Sequence, residues 1–162
     1  MFSSGLHDLV VDWGSLYANH AAIRTVVLFA HIGGLVTAAG AAVTADRGIL
    51  RAMRLDARER AAQLDAIERT HRVVLTGLVF IAISGPLLFA SDVDAFLHSR
   101  LFWTKMTLVA LLVINGAVLT AAERRAASGD AGAWPALQLT AIASIALWSL
   151  ITLCGAALPN IG

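Results

Sequence analysis

TVVLFAHIGGLVTAAGAAVTA, residues 25–45, runs 21 residues without a formal charge. That is long enough to cross the hydrocarbon core of a bilayer as a helix. One ionisable side chain, His31, sits within it, followed closely by Gly33 and Gly34. On a helix His31, Gly34, Ala38 and Ala42 share one face. That face is nearly bare of bulk, so another helix or a flat ligand can approach the backbone closely.

The rest of the composition agrees with this stretch. Of the 162 residues, 58% are apolar and 14% charged, and the mean hydropathy is +0.75. Such values point to one polytopic membrane unit rather than a soluble core. The single cysteine, Cys154, lies in an apolar run, which rules out an intrachain disulfide and a cysteine-based metal motif. The chain has no Gly-rich phosphate loop, zinc-ligand helix or nucleophile elbow. Its basic residues are not clustered with aromatics, so nucleic acid is not an expected partner.

Residues 1–19 lack the basic n-region of a signal peptide. Phe2, Leu6, Leu9, Val10, Trp13, Leu16 and Tyr17 instead recur at helical spacing, with Asp8 and Asp12 on the other side. The pattern predicts an amphipathic helix over 1–19 lying in the membrane interface. A transmembrane domain over 20–162 follows, with spans at about 22–45, 73–90, 101–122 and 135–158. Pro86 is expected to kink the second span, Pro135 to open the fourth, and Pro159 to end it. Between the first two spans, residues 46–72 hold seven arginines and five acids among strong helix formers. Asp56/Arg60 and Asp65/Arg69 are spaced as acid-first i,i+4 pairs. Asp46-Arg47 is expected to anchor the inner end of the first span, with Gly48 letting the backbone relax.

The expected fold is therefore all-α: an antiparallel four-helix transmembrane bundle with an amphipathic N-terminal helix. Loops 46–72 and 123–133 carry nine of the twelve Lys/Arg residues. The positive-inside rule makes both loops cytoplasmic and places both termini outside, in a bacterial inner membrane. Trp13, Trp103 and Trp134 then fall near the interfaces.

Ionisable groups at membrane depth are the functional candidates. By helical rise His31 lies roughly 12 Å and Lys105 roughly 7 Å below the outer edge. His20, Arg24, His31, Asp92, Asp94, His98 and Lys105 can contribute to one polar zone in the outer half. Lys105 and Arg24 are long enough to snorkel to the interface, whereas His31 is too deep to do so easily. His71 starts the second span at the opposite edge, flanked by Arg69 and Arg72.

His31 with Gly33-Gly34, Asp46-Arg47-Gly48-Ile49-Leu50 and Ser84-Gly85-Pro86-Leu87-Leu88-Phe89 together resemble small four-helix bacterial membrane proteins of unassigned function. So do Phe102-Trp103-Thr104-Lys105, Asn115, and Ser144 to Trp148 before Gly155. More distantly, the arrangement is similar to the membrane domain of copper-resistance D proteins and to cytochrome-b561-like bundles. That resemblance implies haem or metal handling.

Three functional classes follow. One is a small b-type-cytochrome-like or quinone-reactive redox protein. Here haem b takes His31 as axial ligand beside Gly34, with the propionates near Lys105, Arg24 or His98 and His71 as the second ligand, or it is held nearer the outer surface between His20 and His98. The second is a copper or small-solute protein, with His31 and His98 as metal ligands, joined by Cys154 or Met106. The third is a structural or accessory membrane subunit, meeting a membrane-complex partner or a second copy through Ala30, Gly34 and Ala38.

Overall fold

The computed structural model describes residues 4–161, and every regular element in that range is helical. In chain order the helices are α1 (Ser4–Asn19), α2 (Ala21–Ala52), α3 (Ala57–Phe89), α4 (Val93–His98), α5 (Arg100–Ala127) and α6 (Trp134–Ile161), with a 3₁₀ turn at Ala131–Ala133. Four stretches are long and apolar enough to cross a membrane: Ala21–Ala52, Arg69–Phe89, Arg100–Ala127 and Ala131–Asn160. The fold is an all-α four-helix bundle, and its composition fits a multi-pass membrane protein.

Two antiparallel hairpins, α2/α3 and α5/α6, are joined chiefly through α2 against α6. Backbone approach is closest between α2 and α3. A methyl added at Gly77 would lie 2.6 Å from both the Ala38 nitrogen and the Gly34 carbonyl oxygen. One added at Gly34 would lie 2.8 Å from the Gly77 carbonyl oxygen. The bare face of residues 31–42 is therefore covered by a helix of the same chain. By contrast α3 and α5 meet sparsely: Phe89 stacks on Phe102 at 5.5 Å at one end, and His71 meets Glu123 at 3.3 Å at the other.

Packed apolar side chains gather at the charged-loop end, where Ile49, Ile67, Ala122, Ala126, Leu137 and Ala141 form the core. Along the spans the large apolar side chains point outward instead, among them Phe29, Val36, Leu75, Ile83, Val113 and Leu153. Lipid is as apolar as leucine, so this outward surface needs no burial within the protein.

Several local expectations change. The helices overrun the expected spans at the charged end, because charge ends a hydropathic run without interrupting backbone hydrogen bonding. α2 continues through Asp46 and Gly48 to Ala52, leaving a tight turn before Asp56. Asp56 and Arg60 do not pair as expected. Asp56 instead caps α3, accepting from the Glu59 N–H at 2.9 Å, while Glu59 reaches back to the Asp56 N–H. Arg60 donates to the terminal carbonyls of Ala52 and Met53 at 3.1 and 3.2 Å and lies over the Trp134 ring. Both carbonyls lie past the last i+4 bond of α2, that of Ala52 keeping a turn bond from the Leu55 N–H, and they take the cation in preference. α6 does not stop at Pro159 but passes it to Ile161, since so near the helix end the missing N–H costs a single bond. α3 runs through Pro86, as the expected second span does, and ends at Phe89.

α1 breaks from α2 at His20, whose backbone is extended. It is pinned to the bundle by Trp13, whose indole N–H donates to the Leu87 carbonyl at 2.8 Å. Phe2 and the side chains of Leu6 and Asp65 lie outside the described residues. The chain between α3 and α5 forms the six-residue α4, capped by Asp92, with Ser99 capping α5. Beyond α5, Arg125 grips Asp130 at 3.0 and 2.6 Å while the Gly132 N–H donates to it at 2.8 Å. Arg125, then the Gly132 N–H, hold the Asp130 carboxyl below its usual range.

Candidate functional site

His31 sits half-buried on α2, against Ser84 and Gly85 of α3. Its Nδ1 is 3.0 Å from Ser84 Oγ. The Ser84 hydroxyl proton is already committed, donated to the Phe80 carbonyl at 2.5 Å. Ser84 Oγ can therefore only accept from His31, so Nδ1 carries the ring proton. In the neutral ring this leaves Nε2 as an unprotonated acceptor.

Lys105 of α5 lies within electrostatic reach of this ring. Its ammonium stands beside α6, where a methyl added at Gly155 would come within 3.8 Å of Nζ. Cys154 is a further neighbour. Among the described residues Lys105 makes no ion pair. All four long helices thus contribute to one zone: His31 from α2, Ser84 from α3, Lys105 from α5 and Gly155 with Cys154 from α6.

The remaining expected members of this zone serve the helix ends. His98 is exposed and donates from Nδ1 to the Asp94 carbonyl at 2.7 Å. His20 is exposed and donates likewise to the Leu16 carbonyl at 3.0 Å. Arg24 donates to the carbonyls of Ala18 and Tyr17, and Asp92 caps α4. Each satisfies a polar group left open where a helix stops.

His71 lies at the opposite end of the bundle beside Glu123. His31, His71 and His98 are therefore at three separate places. Gly34, expected to border a flat slot, is filled by Gly77 and Phe80. The residues do not fit a haem held between two imidazoles. Nor, among the described residues, do three or more His, Cys, Asp or Glu converge as metal ligands.

A second cluster, at the charged-loop end, was not evident in the sequence. Asp46 of α2 is 1% exposed, and its Oδ2 has no hydrogen-bond partner. Glu123 of α5, His71 of α3 and the Ser144 hydroxyl of α6 surround it. Asp46 lies fifteen residues beyond His31 on α2, about 22 Å along the helix. The available signals were the charges flanking spans one and three, but nothing local pairs them. Asn115, a second interior polar group, donates to the Thr140 carbonyl at 3.0 Å and fastens α5 to α6.

Comparison with protein-family models, with curated proteins and with solved structures found no match. The geometry alone carries the functional reading.

Proposed function

We propose that this chain is a multi-pass protein of a bacterial inner membrane that binds the head group of a lipid-soluble quinol beside His31. The observation that carries the reading is the placement of His31, whose Nε2 is the free acceptor when Nδ1 donates to Ser84, near a Lys105 ammonium that makes no ion pair among the described residues. A quinol hydroxyl donates to Nε2 as its proton acceptor. The ammonium favours the oxygen as negative charge develops on it. The sparse contact between α3 and α5 supports entry from the lipid side. The chain supplies binding and proton acceptance; the electrons pass to a partner redox protein in the membrane. Nine of the twelve Lys/Arg residues lie in loops 46–72 and 123–133, which supports cytoplasmic loops and external termini.

A purely structural accessory subunit is the second reading, favoured by the close packing of α2 on α3 at Gly34 and Gly77. Titration of the purified protein with a short-chain quinol, followed by tryptophan fluorescence, separates the two. Saturable binding is expected, weakened at least about tenfold in His31→Phe, the equivalent of one hydrogen bond at the head group. Absence of saturable binding, or equal affinity in the variant, would leave the structural reading in place.

A further inference from the structure

The cluster around Asp46 is set apart from the quinol site and does not rest on it. Asp46 is sealed between helices at 1% exposure, with Oδ2 touching no donor. A carboxylate in such a place keeps its charge only with a cation or several donors around it. The nearby cations are turned elsewhere. Arg60 is bound to the Ala52 and Met53 carbonyls and Arg125 to Asp130, while Arg47, Arg72 and Arg124 are exposed. From α6 the Ser144 hydroxyl gives the carboxyl a single hydrogen bond, and no residue between Trp134 and Leu153 is titratable. From α5 it is a second acid, Glu123, and from α3 it is His71.

Exposure also falls in steps along this set. The His71 side chain is 34% exposed and the Glu123 side chain 12%, with His71 Nε2 at 3.3 Å from Glu123 Oε2. Asp46 behind them is sealed. A titratable group at the surface, a second in contact with it and a third buried behind both form a graded route inward.

We propose that Asp46, Glu123 and His71 form a proton-binding site at the charged-loop end, in which Asp46 stores a proton that enters through His71. The proton arrives from solvent on the imidazole, crosses to Glu123 Oε2 and moves on to the Asp46 carboxylate. Nothing is oxidised or reduced. The two acids together hold one proton and one negative charge, which the imidazolium balances while His71 is protonated.

Infrared spectroscopy of the full chain in lipid tests this. The wild type is expected to show a protonated-carboxyl C=O band at mildly acidic pH that bleaches as the pH is raised and is lost in Asp46→Asn. Glu123→Gln, which keeps Asp46, removes a neighbouring negative charge and should lower the pH at which the band bleaches by about one unit. His71→Gln should keep the band but slow its hydrogen–deuterium exchange at least about tenfold, as loss of a relay group does. A merely structural His71 would leave that exchange rate unchanged. The proposal is overturned if no band depends on Asp46, if Glu123→Gln leaves the bleaching pH unmoved, or if exchange ignores His71→Gln. Absence of the band together with stability that depends on sodium would show a bound cation instead, and would also overturn it.

Discussion

Gly77→Leu is expected to leave little folded protein. The first carbon of the new side chain would lie 2.6 Å from the Ala38 nitrogen and the Gly34 carbonyl oxygen, and 2.8 Å from the Ala38 Cβ. Two of these are backbone atoms inside a continuous helix, so neither can step aside as a flexible side chain does. The hairpin α2/α3 must then part along its tightest line. That line also holds the His31–Ser84 bond in register. Gly77→Ala, the smallest test, should cost about 1–3 kcal/mol, the usual range for overpacking. Gly33 and Gly40 face open space. Alanine there should be neutral or stabilising by up to about 1 kcal/mol, since glycine is the poorer helix residue. Denaturant unfolding in detergent micelles compares the four variants. Equal stability of Gly77→Ala and Gly40→Ala would mean that α2 and α3 do not pack this closely.

Lys105→Met should move stability and binding in opposite directions. The ammonium is half-buried, lies within electrostatic reach of the His31 ring and, among the described residues, has no acid paired with it. Methionine matches its stem and removes the charge, so unfolding should become harder by about 1–3 kcal/mol. Quinol affinity should fall by about ten- to a hundredfold, the size of one charge-assisted hydrogen bond. A snorkelling lysine with no ligand predicts neither change. Unfolding curves and quinol titrations on the same preparation read both quantities, and a variant unchanged in each would remove Lys105 from the site.

The spans were legible because lipid imposes a composition rule that needs no knowledge of partners. Runs of about twenty apolar residues separated by charge suffice. The same rule misplaced the helix ends, since hydropathy stops at Asp46 and Glu123 whereas hydrogen bonding continues to Ala52 and Ala127. α4 is not legible in the sequence because six residues show no periodicity, although Asp92, which caps it, is a residue type that favours helix starts.

His31 stood out as a deep ionisable group, but its partner did not. Ser84 lies 53 positions away, and its role depends on its own bond to Phe80. Gly77, a lone glycine among bulky neighbours, carried a usable signal of close approach. The sequence alone presents Asp46 as an interface anchor, because its neighbours Glu123, His71 and Ser144 come from three other helices. Which side chains meet is decided by the pairing of α2 with both α3 and α6, and no local pattern encodes that pairing.

The quinol site is tested most directly by photolabelling the wild-type protein in lipid vesicles with an azido-quinone and mapping the modified peptides. The label is expected on the α2 segment around His31 and on the α5 segment around Lys105, and excess short-chain quinol should compete it away. Label confined to the outward apolar faces, at Phe29 or Val113 for example, and unaffected by competitor, would contradict a quinol site inside the bundle.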